Sequence, residues 1–334
     1  MSKLIIHIGT HKTGTTSIQN ALDEHQYELF NNENMFVFSR ESNVPKIKYW
    51  LYPEWYGNSD VNSIEPIALK EFIDLEKDIG NCNAVYSEEN FSDEVSVVEQ
   101  KKKLDKLLLF INESKYNEFE IHVFFREQAE LINSIYLQRI RNRSYNYSSI
   151  EDFIKFNDTD FIEALDWNKY LDLINNKLSL SNKKVIVIPH LYHDACAHSE
   201  GMVKYFFERV LNSKIQPSNF YENKKLGNSK NVVLELLSLA ASRGVSTVNI
   251  GWFKESIINT CLKDDNLPLE AVFSDKLKTK VTKKFRRSNS MFLNKLENDT
   301  SDLVENTYTK KAILINCKLK LKTYLMKFFT NTLT

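Results

Sequence analysis

Residues Leu4 to Ile8 are apolar apart from His7, and the chain passes from them straight into Gly9-Thr10-His11-Lys12-Thr13-Gly14-Thr15-Thr16. Apolarity on both faces of so short a segment is what a strand inside a parallel sheet requires, because helices cover it above and below. Beyond the second glycine, Ile18, Ala21, Leu22, His25 and Leu29 recur at helical spacing. That spacing predicts a helix starting at Thr15 or Thr16. A buried strand, a glycine-bounded loop and a helix in this order leave few architectures open. In such a unit the N–H groups of residues 13 to 17 gather at a helix N-terminus, where the dipole favours an anion.

Three further runs have the same character: Ala84-Val85-Tyr86-Ser87, Ile121-His122-Val123-Phe124-Phe125 and Val185-Ile186-Val187-Ile188-Pro189. Amphipathic segments separate them. Leu104, Leu107, Leu108 and Ile111 make one apolar face, ringed by Lys101, Lys102, Lys103 and Lys106, and Ile132, Ile135, Tyr136 and Ile140 make another. Strands alternating with helices predict an α/β fold with a doubly wound, mainly parallel sheet flanked by helices. Ligands of such sheets bind at the carboxyl ends of the strands. From Asn231 the pattern turns helical, so the expected division is an α/β core over 1–230 and a helical C-terminal region over 231–334.

Composition excludes several alternatives. Lysine plus arginine equals aspartate plus glutamate at 44 each, so no global basic excess points to a nucleic-acid partner. Cys82, Cys196, Cys261 and Cys317 are scattered without a CxxC, which suits a reducing compartment and offers neither a disulfide framework nor a zinc site. His190, His193, Cys196 and His198 lie close in sequence, but their spacing matches no common zinc pattern, and ordinary loop residues are expected there. The N-terminal apolar run is too short for a signal peptide or a membrane span, and no later one is long enough, so a cytoplasmic protein is expected. The aromatic stretch from Glu41 to Asp60, with Tyr49, Trp50, Tyr52, Trp55 and Tyr56, fits either a packed cluster or a surface on which a sugar stacks.

The loop shares its glycine spacing with nucleotide triphosphatases, which place lysine directly after the second glycine. Thr15 stands there in this chain, and the lysine is Lys12. With that displacement, His7-Ile8-Gly9-Thr10-His11-Lys12-Thr13-Gly14-Thr15-Thr16-Ser17-Ile18-Gln19 resembles the 5′-phosphosulfate loop of sulfotransferases that use 3′-phosphoadenosine 5′-phosphosulfate. Arg126, closing the third run, with Ser134 eight residues on, resembles the pair that holds the donor's 3′-phosphate in that family. A guanidinium fork matches phosphate oxygens, and a hydroxyl two helical turns on adds a neutral donor. Fainter likenesses to bacterial carbohydrate-type members cover Ser87-Glu88, Lys183 to Pro189 and Phe285-Arg286-Arg287-Ser288-Asn289.

The resemblance implies sulfuryl transfer without a metal, from that donor to a hydroxyl of a carbohydrate or glycolipid. Lys12 would neutralise the leaving group, and Thr13, Gly14, Thr15, Thr16 and Ser17 would hold the 5′-phosphate. Glu88 is the leading candidate for the general base, with Glu89, Glu41 and His11 as alternatives. Lys224, Lys225 and Asn228 are placed to close over the 3′-phosphate. Two other classes stay open: a P-loop kinase or nucleoside triphosphatase, and an inactive nucleotide-binding protein. The last segment, Tyr308 to Phe329, carries six lysines, no acidic residue and an apolar stripe. It fits a terminal helix packed on its own domain or a peripheral contact with the inner membrane face.

Overall fold

A computed structural model describes residues 2–10, 13–38, 61–92, 96–141, 150–156, 158–217 and 275–303. His11, Lys12, the aromatic stretch 41–60, Lys224, Lys225, Asn228 and the tail 308–329 lie outside these residues, as does the expected domain boundary near residue 230. The chain divides into two units, Met1–Asn289 and Ser290–Thr334.

The strands are β1 (Lys3–Gly9), β2 (Met35–Phe38), β3 (Asn83–Ser87), β4 (Glu118–Phe125) and β5 (Lys184–Leu191). They form one sheet in the order β2-β3-β1-β4-β5, with every pairing parallel. The helices are α1 (Thr15–Glu33), α2 (Val61–Asp78), α3 (Val97–Glu113), α4 (Gln128–Arg141), α5 (Ile150–Phe156), α6 (Asp158–Ala164) and α7 (Trp167–Leu178). After β5 come α8 (Tyr192–Cys196) and α9 (Gly201–Tyr205), which runs into a π-helical turn at Phe206–Val210, and then α10 (Asp275–Leu303). This is the doubly wound α/β architecture expected from the alternation.

β2 was not expected. Its four residues, Met-Phe-Val-Phe, follow directly on the cap of α1, where Asn34 takes the left-handed conformation and its N–H closes onto Leu29 and Phe30. With no turn sequence between them, the short run merges into the helical pattern.

Alternation of side chains divides the core. One face of the sheet, with Ile5, Val85 and Phe124, packs on Ile18, Ala21 and Leu22 of α1 and on Phe206 and Phe207 of the π turn. On the other face Tyr86 meets Phe72 of α2 and Phe110 of α3, and Phe125 meets Trp167 and Tyr170 of α7. Two helices start on local signals. Ser96 accepts from the Glu99 N–H at 3.0 Å, and Asp166 accepts from the Lys169 N–H at 3.0 Å. β1 is central, with β3 on one side and β4 on the other, so the crevice where the winding reverses opens at its carboxyl end. The glycine loop lies there.

Candidate functional site

Sterics shape the loop. A Cβ on Gly9 would stand 2.4 Å from Thr15 Oγ1, 2.8 Å from Thr13 Oγ1 and 3.2 Å from His7 Nε2, so only glycine lets the three approach. Gly14 caps α1 with φ 77°, the left-handed region that favours glycine. Thr10 ties the loop to β4: its N–H and its hydroxyl both donate to the Phe124 carbonyl, at 3.4 and 2.9 Å. Thr13 in turn donates its hydroxyl to the Thr10 carbonyl at 2.5 Å.

The start of α1 is left open. No side chain caps it and its first turn holds no acidic residue, so the N–H groups of Thr15, Thr16 and Ser17 have no partner within the helix. Thr15 Oγ1 is buried without a hydrogen-bond partner among the described residues, although Thr15 itself is only 2% exposed. A buried hydroxyl beside an uncapped helix end suits a bound anion. Thr13 is also buried, while Thr16 and Ser17 are half-buried.

Arg126 follows the last residue of β4, so the Thr10–Phe124 bonds hold its strand end beside the loop. Its Nε lies 3.6 Å from Glu130 Oε2 and its guanidinium carbon 5.1 Å from the Tyr192 ring centroid. Tyr192 also reaches the loop: a Cβ on Gly14 would be 3.9 Å from its ring and 3.5 Å from Met202 Cγ. Burial and then a bond to Cys196 push the Tyr192 hydroxyl up to about 12, so it stays protonated at neutral pH. Tyr192 and Met202 wall the loop, and sequence reasoning did not find them. The available signal was the position of Tyr192, one residue past the carboxyl end of β5. Ser134 is half-buried, about two turns along α4, roughly 9 Å from the start of that helix.

Glu88 is 2% exposed at the end of β3. Its N–H donates to the His7 carbonyl at 3.0 Å, and Tyr86 donates its hydroxyl to Glu88 Oε2 at 3.2 Å. The carboxylate is thereby fixed at the carboxyl edge of the sheet, next to β1 and its loop. The Ser87 hydroxyl pairs with His7 Nδ1 at 2.8 Å, and residues 89–91 form a 3-10 turn containing half-buried Glu89.

Beneath the loop runs a chain of histidines invisible in the sequence. His7 and His122 are register partners on β1 and β4. His122 Nδ1 lies 2.8 Å from His190 Nε2, and His190 Nδ1 lies 3.0 Å from the Tyr205 hydroxyl. Glu120, paired with Lys3 at 2.8 Å, approaches His122 Nε2 at 3.7 Å, a Coulombic distance rather than a hydrogen bond. The carboxylate favours the proton on that nitrogen. Neutral His122 then accepts from His190 at Nδ1, and His190 accepts from Tyr205. Burial, with the neighbouring imidazole charges adding to it, drives His7 down to about 3 and His190 well below its ordinary value. Burial also lowers His122, against the pull of Glu120. His190 therefore belongs to β5 and the core, not to a loop. His193 and Cys196 are exposed on α8, and His198 pairs with Glu208 at 3.1 Å. Among the described residues no group of three or more ligating side chains is arranged to hold a metal.

No family model matches the chain, and no curated protein does. Among solved structures, the crystal structure of a sulfotransferase from Alicyclobacillus acidocaldarius is similar at 12% identity with a TM-score of 0.37, covering 75% of this chain and 98% of that one. The likeness is distant, and the functional assignment rests on the site residues instead.

Proposed function

We propose that the chain is a sulfotransferase that takes its sulfuryl group from 3′-phosphoadenosine 5′-phosphosulfate. The observation that carries this is the uncapped start of α1, with the buried, unpartnered Thr15 hydroxyl, at the point where the sheet winding reverses. The sequence places a lysine at residue 12 of that loop and not at residue 15. In this assignment the N–H groups of Thr13 to Ser17 and the hydroxyls of Thr15 and Thr16 hold the 5′-phosphate. Lys12 offsets the charge growing on the bridging oxygen, and Arg126 with Ser134 takes the 3′-phosphate.

Glu88 accepts the proton from the acceptor hydroxyl as its oxygen bonds to sulfur. The bond from sulfur to the 5′-phosphate oxygen breaks, and adenosine 3′,5′-bisphosphate leaves with that electron pair. Positioning and charge stabilisation supply most of the acceleration, as in phosphoryl transfer. The acceptor proposed is a carbohydrate or glycolipid hydroxyl.

Steady-state transfer of labelled sulfate tests the assignment of Arg126. Arg126→Ala is expected to raise the donor KM by roughly ten- to a hundredfold, the worth of a hydrogen-bonded charge, and to change kcat much less. An unchanged donor KM would remove Arg126 from the 3′-phosphate site.

A further inference from the structure

α10 begins on the first unit with two opposite faces. Val281 and Phe285 are buried in the cluster that also contains Ile132, Ile135 and Phe153. Two side-chain links hold the helix in this rotation. Gln128 and Asn289 exchange amide hydrogen bonds at 2.8 and 2.9 Å, and the Ser288 hydroxyl bonds to Asp166. The opposite face carries Lys276, Lys280, Lys283 and Arg287, spaced at i, i+4, i+7 and i+11, with Lys284 and Arg286 on its flanks. All six are exposed. No acidic residue occurs from 276 to 296, and none of the six has an ion-pair partner among the described residues.

This departs from the rest of the surface. Several lysines elsewhere meet carboxylates, as in Lys70–Asp74, Lys102–Glu99, Lys177–Asp105 and Lys184–Glu118. Like charges at i, i+4 destabilise a helix, so folding alone does not favour four cations on one helix face, flanked by two more, in a chain whose charges balance overall. Between residues 276 and 287 the large apolar residues, Leu277, Val281 and Phe285, are packed inward. The ridge, about 16 Å long from Lys276 to Arg287, has only charge to offer.

We propose that this ridge docks the protein on an anionic lipid surface. A soluble polyanion would also match the cations. The bilayer is favoured by the sequence that follows, where Tyr308 to Phe329 combines six lysines with Ile313, Leu314, Leu321, Leu325 and Phe328 at amphipathic spacing. Anionic headgroups answer the charge and the acyl boundary answers the apolar stripe. A soluble polyanion leaves the stripe unexplained. The proposal stands apart from the donor assignment.

The test is flotation of the full chain with vesicles of phosphatidylcholine alone or with 30% phosphatidylglycerol, at about 0.1 and 0.3 M salt. The triple variant Lys280→Gln/Lys283→Gln/Arg287→Gln is compared with the parent. The expected result is binding only to the anionic vesicles, weakened by salt, with a partition coefficient about 100-fold lower in the variant. A thermal melt of the variant, expected to match the parent, separates loss of the ridge from loss of the fold. Absence of vesicle binding, or equal binding by parent and variant, overturns the proposal. So does ridge-dependent binding to heparin without binding to vesicles. Bisphosphate binding by the same preparations reports on the donor site separately.

Discussion

Gly9→Ala is expected to lower the affinity for adenosine 3′,5′-bisphosphate by about 100-fold while leaving the sheet intact. The added methyl would fall 2.4 Å from Thr15 Oγ1 and 2.8 Å from Thr13 Oγ1, closer than carbon and oxygen can approach. Neither hydroxyl can yield without loss. Thr13 is held by its 2.5 Å bond to the Thr10 carbonyl, and Thr15 begins α1. Displacing them carries the Thr15 hydroxyl and the Thr13 N–H away, removing two hydrogen bonds to a charged phosphate, at about 1.5 kcal/mol or more each, which gives the stated factor. The overpacking itself costs about 1–3 kcal/mol of stability. Far-UV circular dichroism should keep its parent shape while titration calorimetry loses the binding heat. Parent-like affinity would mean that the loop is not the phosphate cradle.

A second large effect is expected from acid. His7 has a folded value of about 3 against about 6.5 in the unfolded chain, because burial opposes its charged form. Below pH 6.5 the unfolded chain takes up a proton that the folded chain refuses. Stability is therefore complete above pH 6.5 and falls as the pH drops from there towards 3. His122 and His190 are lowered in the same direction by the same cause. For His7 this is a loss of about 1.4 kcal/mol per pH unit in this window, or about 2 kcal/mol at pH 5.

Glu120, held at about 2 first by His122 and then by Lys3, adds to the loss below about pH 4.5. Glu76, raised by burial, works the other way, but as a single group. Set against a typical total of 5–15 kcal/mol, the loss at His7 is a substantial fraction, and His122 and His190 add to it in the same direction. Urea midpoints should fall steeply between pH 6.5 and 5. A flat profile across that interval would show that the histidines are not buried neutral.

How much of this was legible in the sequence depended on whether the signal was local. β1, β3, β4 and β5 each contain a short apolar run bounded by polar residues, the pattern of a strand in a parallel sheet, although β5, at the sheet edge, is half-exposed along most of its length. β2 is four residues long and abuts the Asn34 cap, so its pattern had no separate start. The loop and Arg126 could be found because each sits at the end of a readable strand.

The histidine chain could not be found, because it depends on register. His7 and His122 face each other only once β1 and β4 are paired, and His190 joins two residues above the partner of His122. The Gln128–Asn289 clasp joins residues 161 apart, and neither glutamine nor asparagine announces a partner at that distance. Tyr192 belongs with the loop through the approach of α8 to Gly14, a packing relation at which only its place just past β5 hints.

The central claim, that the loop holds a phosphosulfate donor and not a nucleoside triphosphate, is tested most directly by ligand-induced stabilisation of the unmodified protein. Adenosine 3′,5′-bisphosphate without magnesium is expected to raise the melting temperature, with a gain of about 2.7 kcal/mol at a hundredfold excess over Kd. ATP with magnesium should leave it unchanged. Stabilisation by magnesium-ATP with no response to the bisphosphate would contradict the assignment.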